Sequence, residues 1–346
     1  MSVRIGVIGA GAMGSAHCAT IANQVSGAEL AAVSDADRAR LAEVADGLGD
    51  VRAHPDPHEL IGDPAVDAVV VASSDATHED FVLSCLRAEK PVLCEKPLAP
   101  TADASRAVVE AEAAIGRRLV QLAFMRRFDP GYVAIKQRLD DGLVGAPLLV
   151  HCVHRNAVTA APWSSEMLIT SSGTHEIDVA RWLTGEEVVA ATVVAGRPSR
   201  LAPEGLRDPQ LMILETEGGV LVDVELFVNA RYGYDIRCEV VGESGTLSLA
   251  PPVLAEVRSD GQDAAEVAQD FRPRFAVAYR EELQAWTDAL ARGGPEGPTA
   301  WDGYAAAAVA DAALDSLESG VRTEVLLADR PPLYDEPRAA RVAAAR

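Results

Sequence analysis

The sequence predicts an α/β protein: an N-terminal doubly wound parallel sheet, then a C-terminal α/β domain built on a largely antiparallel, open sheet. Three observations carry the prediction. A short apolar strand, Val3 to Ile8, runs straight into Gly9-Ala10-Gly11-Ala12-Met13-Gly14 and an apolar helix to about Val25. Apolar strands and helices then alternate as far as about residue 124, the pattern of βαβ units in a parallel sheet covered on both faces. Between residues 188 and 249 the period changes, and four segments alternate apolar with polar residues, as in an antiparallel sheet with one open face.

Composition sets the outer bounds. A chain of 346 residues makes one large domain or two ordinary ones, and a hydrophobic share of 49% supplies a sizeable core. Aromatics are only 5%, which suits close helix-on-sheet packing. The net charge of −21 would repel a phosphate backbone or an anionic membrane surface, so neither nucleic acid nor membrane is an expected partner. Five cysteines (18, 85, 94, 152 and 238) are scattered without CxxC spacing. They read as reduced thiols of a cytoplasmic protein, neither a disulfide frame nor a zinc site, and no metal is expected. The N-terminus lacks a signal-peptide layout, and no apolar run approaches the roughly 18 residues of a membrane span. The expected domains are residues 1–124 and 125–337, followed by an Ala- and Arg-rich, frayed tail over 338–346.

Along the first domain, each element ends in a chemically suggestive turn. Gly9 permits a tight turn, Gly11 lets backbone approach a pyrophosphate, and Gly14 lets helix pack on strand; together they predict a Rossmann-type dinucleotide site. The strand Glu29 to Ser34 ends at Asp35, placed to accept hydrogen bonds from adenosine ribose hydroxyls and to repel a 2′-phosphate, so NAD is the expected cofactor. Asp37 adds to that repulsion, Arg38 softens it, and the alternative for Asp35 is to cap a helix from Ala36 to about Leu48. The strand Val66 to Ala72 leads into Ser73-Ser74-Asp75-Ala76-Thr77-His78, at the end of a strand where such sheets bind ligands; Thr77 and Asp75 serve equally well as caps of a helix from Glu79 to Ala88. The strand Pro91 to Cys94 ends in Glu95-Lys96-Pro97, where a lysine beside the cofactor would polarise a substrate oxygen and the proline would restrict its backbone. A helix from Thr101 to Ile115 and a strand from Leu119 to Phe124 complete this half.

In the second domain, a helix from Gly131 to Asp141 precedes a strand from Pro147 to His154 and then Arg155-Asn156. The stretch Ser171-Ser172-Gly173-Thr174-His175-Glu176-Ile177-Asp178 opens a further helix. His175 and Asp178, three residues apart, share a helical face. His175 falls in the expected first turn, where the helix dipole disfavours imidazolium and suits a proton acceptor; the alternative is a surface or capping histidine. Strands are expected over Val188–Ala195, Gln210–Thr216, Val220–Val228, Tyr234–Val241 and Thr246–Leu249, with Arg197 to Asp208 as a long mobile loop or oligomer contact. Helices from Arg274 to Ala291 and Trp301 to Leu317 end the pattern.

In order, GAGAMG, Asp35, Glu95-Lys96-Pro97, Arg127-Phe128-Asp129-Pro130 and His175-Glu176-Ile177-Asp178 resemble the glucose-fructose oxidoreductase/inositol dehydrogenase/rhizopine catabolism (Gfo/Idh/MocA) family over nearly the whole chain. His154-Arg155-Asn156, Glu166-Met167-Leu168-Ile169 and Asn229 to Asp235 look most like the actinobacterial inositol 2-dehydrogenases within it. The resemblance implies an NAD-dependent dehydrogenase acting on a secondary hydroxyl of a cyclitol, aminocyclitol or sugar, in a homodimer or homotetramer joined through the open sheet. It implies that Lys96 contacts the reacting hydroxyl and the nicotinamide ribose, and that His175 is the general base. Arg127, Asn156, Asp178, Tyr234 and Tyr279 would then line the polyol pocket, and Glu95 and Pro97 would shape the cofactor site. One departure stands out: the family usually carries aspartate four residues before the histidine, and here that position is Ser171. A serine cannot balance an imidazolium, so the expectations are a weaker base, a proton that leaves by a water chain, a substrate that supplies a group of its own such as an amine, or a Ser171 that has become the helix N-cap while Lys96 carries the proton transfer. A catalytically silent NAD-binding sensor of the same fold is the rival of a different class, opposed by the presence of Lys96, His175 and Asp178.

Overall fold

The computed structural model describes residues 2–49, 51–159, 163–250 and 256–335. The described chain divides into two compact units, the first formed by residues up to 128, 278–307 and 328–335 and the second by 129–277 and 308–327. The tail expected over 338–346 lies outside the described residues.

In the first unit the elements are β1 (Val3–Ile8), α1 (Ala12–Gln24), β2 (Ala28–Ser34), α2 (Arg38–Gly47), β3 (Arg52–His54), α3 (Pro57–Gly62), β4 (Ala68–Val71), α4 (His78–Arg87), β5 (Val92–Glu95), α5 (Ala102–Ile115) and β6 (Val120–Ala123). The six strands run parallel in the order β3-β2-β1-β4-β5-β6. The order reverses between β1 and β4, so a crevice opens at their carboxyl ends. Every residue of β4, β5 and β6 is buried, as strands covered on both faces require. The short β3 and α3 escape the sequence reading because a three-residue strand and a six-residue helix leave no periodicity to detect.

The second unit opens with α6 (Pro130–Asp140) and β7 (Pro147–Arg155), followed by α7 (Thr174–Thr184) and the strands β8 (Val188–Ala195), β9 (Gln210–Thr216), β10 (Leu221–Phe227), β11 (Asp235–Gly242) and β12 (Thr246–Ser248). A polar hairpin, β13 (Glu256–Ser259) and β14 (Gln262–Ala265), was not expected. Next along the chain come α8 (Phe271–Arg292), kinked at Phe275, and α9 (Ala300–Ser319), of which residues 278–307 belong to the first unit, and then a two-residue β15 (Thr323–Glu324). The larger sheet has the order β12-β11-β7-β10-β9-β8-β15; β7 and β10 are parallel and the remaining pairs antiparallel. Strict alternation in β7, β9, β10 and β11 buries one face and leaves the other open. Among the described residues no helix is long and apolar enough to cross a membrane.

Candidate active site

The glycine turn is explained by contact distances. A Cβ on Gly14 would lie 1.8 Å from the Gly9 carbonyl oxygen, and one on Gly9, at φ +97°, would lie 2.5 Å from the carbonyl oxygen of Ala72. Only glycine lets α1 start this close to β1 and β4. Around Gly11 the space is open, with nothing within 4 Å of a Cβ position, so the loop leaves room for a ligand to meet bare backbone.

Asp35 closes this turn from the β2 side. Its carboxylate accepts the amide of Ala10 at 2.6 Å and that of Asp37 at 2.7 Å, and Arg40 approaches to 3.5 Å. It does not cap the next helix. Asp37 does that, accepting from the amides of Ala39 and Arg40, so α2 begins at Arg38 and not at Ala36. Arg38 is exposed, and the cation nearest Asp35 is Arg40, which sequence reasoning passed over. The open loop and the carboxylate at the end of β2 fit an adenine dinucleotide without a 2′-phosphate.

Across the crevice, Ser73 Oγ and Thr77 Oγ1 are 2.7 Å apart, and Thr77 donates to the Ser74 carbonyl at 2.8 Å. Thr77 therefore braces its own turn, and its side chain makes no cap bond to α4. His78 is buried, with Nδ1 2.7 Å from the Pro97 carbonyl and Nε2 3.2 Å from that of Ser73. Glu95 is buried at the end of β5, its Oε1 2.7 Å from His17 Nε2 and its Oε2 accepting the Lys96 amide at 3.3 Å. Burial opposes ionisation of Glu95, but the His17 hydrogen bond and the charges of His17, Lys96 and His78 outweigh it and hold the carboxyl below its usual range. Lys96 is half-buried, and the Lys96–Pro97 peptide is cis. Arg127 sits 3.0 Å from Asp302, and Tyr279 meets His17 edge-on at 6.0 Å; both belong to this first unit.

The second unit assembles a different cluster. Along α7 only Trp182 and Thr184 reach solvent even partly, and His175 is 7% exposed, which excludes a surface histidine. A π-helical turn over Leu168–Gly173 leads directly into α7. Helical turns therefore begin well before His175, which does not occupy an open helix start, and the dipole argument weakens accordingly. Ser171 lies inside the π turn, so it is not the N-cap of α7; that position is Gly173, without a side-chain cap bond. A π turn is frequent at functional sites.

The His175 ring stacks at 6.5 Å on His154, which meets Tyr234 edge-on at 5.8 Å. Behind His154, Glu176 places both carboxylate oxygens 3.1 Å from Nδ1, with both side chains almost wholly buried. Asp178 is 1% exposed. Sequence reasoning missed the role of His154 and Glu176. The available signal was a histidine in the inward register of β7, with Val150 and Cys152. Asn156 follows β7, its backbone fixed by Phe227 and Ala230, and its Oδ1 is buried without a hydrogen-bond partner among the described residues. An unfilled acceptor suits a hydroxyl-bearing ligand.

Two networks hold these segments. On the open face, Arg155 makes two 2.6 Å bonds to Glu225 and reaches the Tyr232 hydroxyl at 2.9 Å; the Glu225 bonds raise its pKa further. On the buried side, Asp208 accepts the Val228 amide and the Asn229 side chain, each at 3.0 Å. Burial outweighs these bonds and pushes the Asp208 carboxyl up. The end of the loop over 197–208, expected to be mobile or an oligomer contact, is therefore pinned, and Arg207 adds an amide bond to Ser165. No group of three or more His, Cys, Asp or Glu side chains among the described residues is placed to hold a metal.

Comparison with known proteins agrees with this architecture. Residues 3–124 match the Gfo/Idh/MocA model described as an oxidoreductase family with an NAD-binding Rossmann fold, and residues 132–248 match the Gfo/Idh/MocA C-terminal domain. Inositol 2-dehydrogenase 1 of Saccharopolyspora erythraea is 56% identical over 335 residues, covering 96% of this chain and 99% of the relative. The myo-inositol dehydrogenase of Lactobacillus casei, solved with NAD(H) and myo-inositol, superposes with a TM-score of 0.94 at 38% identity, covering 97% and 100% of the two chains. The scyllo-inositol dehydrogenase of Lactobacillus casei, solved with NAD(H) and scyllo-inositol, gives 0.87 at 26% identity over 94% and 99%. With the dinucleotide turn, the acidic β2 terminus and both domains in place, the chain belongs to the Gfo/Idh/MocA family of NAD-dependent oxidoreductases.

Proposed function

We propose that the protein oxidises a secondary hydroxyl of a cyclitol, with myo-inositol at its 2-position as the first substrate to test. The observation that carries this is the near full-length similarity to inositol 2-dehydrogenases, met here by a buried His175 cluster and a polar lining. Bound NAD supplies the hydride acceptor. His175 takes the hydroxyl proton, and the Lys96 ammonium stabilises the negative charge growing on that oxygen. Asn156, with its unfilled Oδ1, accepts from a ring hydroxyl, and Asp178, Tyr234, Arg127 and Tyr279 complete the lining. Because Ser171 brings no carboxylate, aminocyclitols and aminoglycoside-type glycosides belong in the same screen.

The proposed assembly is a homodimer or homotetramer using the open sheet face, where Val194, Leu211 and Leu221 are exposed. Five free, buried cysteines suit a reducing cytoplasm. The test is NADH formation across inositol isomers, aminocyclitols, aldoses and aminoglycosides, with light scattering for assembly. Lys96→Ala and His175→Ala should each cut turnover on the order of 10²–10⁴-fold, more than they reduce NAD affinity. Full turnover in both variants would refute the proposed chemistry.

A further inference from the structure

The first unit contains a buried polar pair that the proposed mechanism leaves unused. His17 lies on α1, on the inward face that also carries Gly14, Cys18 and Ile21, and is 1% exposed. A histidine there is ordinarily a core residue with its hydrogen bond met. Its partner changes the reading, because Glu95 is the residue directly before Lys96. One Glu95 oxygen is occupied by His17, and the other accepts the Lys96 amide. From the opposite side, His78 holds the Pro97 carbonyl at 2.7 Å. Residues 95–97 are thus fastened at both ends, one to the helix that follows the glycine turn and the other to the start of α4.

We infer that His17 is a positioning residue for Lys96, acting through Glu95; this rests on the proposed role of Lys96. Without His17, a buried carboxylate loses its nearest donor, a costly state. The remaining remedies are to take up a proton or to turn toward a neighbouring cation, and Lys96 is one whose charge already favours the Glu95 anion. A lysine captured by Glu95 is withdrawn from the substrate oxygen. His17 keeps one carboxylate oxygen engaged, so Glu95 does not compete with the substrate oxygen for the ammonium. Tyr279, which leans on the same imidazole, would lose its packing partner in the same step.

The experiment places His17→Leu and His17→Gln in the full-length enzyme, each with and without Lys96→Ala, and measures NADH formation on myo-inositol beside NAD affinity by titration. His17→Leu should lower kcat roughly 10- to 100-fold, the cost of a small misplacement of a catalytic group, with NAD affinity unchanged. His17→Gln should recover most of the loss, since its amide can donate where the imidazole did. In the Lys96→Ala background His17→Leu should cost nothing further. If Lys96→Ala lowers turnover but a folded His17→Leu does not, the inference alone fails; an equal loss in the Lys96→Ala background also overturns it. Unaltered turnover in Lys96→Ala removes the lysine's role and the inference with it. Should His17→Leu not fold, Glu95→Ala carries the same test, with the same lack of further loss in the Lys96→Ala background expected.

Discussion

Replacing Asp35 with asparagine tests the cofactor site most directly. In the native turn both carboxylate oxygens accept backbone amides, at 2.6 and 2.7 Å from Ala10 and Asp37. Ala10 is 1% exposed, so its amide has no water to fall back on. An asparagine keeps one acceptor but turns its NH2 toward the other donor. At least one hydrogen bond to a charged acceptor is lost, worth about 1.5–3 kcal/mol. If that loss appears in the bound state, NAD affinity falls on the order of 10- to 100-fold, at about 1.4 kcal/mol per decade. Loss of the negative charge should also narrow the preference for NAD over NADP. Calorimetric titration of wild type and Asp35→Asn with both dinucleotides measures each effect, and a thermal melt separates weaker binding from unfolding. Wild-type protein that binds NADP as tightly as NAD, or a variant with undiminished NAD affinity, would refute the reasoning.

Three further outcomes are expected. Ser171→Asp should raise turnover on myo-inositol by helping to hold the proton on His175, and lower it on an amine-bearing cyclitol; identical kinetics on both would place residue 171 off the proton path. All five thiols are buried, and burial pushes Cys18 and Cys85 up to about 12, so a thiol reagent at pH 8 should label the native protein far more slowly than the denatured one. Glu95 is held below the usual glutamate range, so its stabilising contribution is complete above that range and is lost as the pH falls through the folded value. The melting difference between wild type and Glu95→Gln should therefore be largest near neutrality and shrink on acidification; a constant difference would contradict the assignment.

What the sequence revealed and what it hid follow one physical line. The limits of β1 and the carboxylate at the end of β2 were legible because glycine, strand and helix occur within a short stretch whose geometry allows few alternatives. Helix starts shifted where two candidate caps were adjacent, as with Asp35 and Asp37, because only the three-dimensional turn shows which carboxylate is already engaged. The π turn before α7 was invisible, since its residues read as an ordinary loop and helix entry. The pairs His17–Glu95 and His154–Glu176 could not be read either. Each joins residues 78 and 22 positions apart, and no local pattern links a polar side chain on one buried face to its partner on another. Individual residue types were legible, but long-range partnerships were not.

The composition of the first unit bears on when it can fold. Its apolar core includes Leu283 and Trp286, both fully buried beside Ile5, Val7 and Leu93. On a ribosome, the whole parallel sheet is therefore made well before the side chains that seal it, with about 150 residues of intervening chain synthesised at roughly 5–20 residues per second. For a span of some seconds to half a minute the nascent sheet has an unfilled apolar face. A fragment ending at residue 128 would reproduce that intermediate permanently, so the dinucleotide-binding half is not a portable module. Shuffling it between enzymes requires moving residues 278–307 and 328–335 with it.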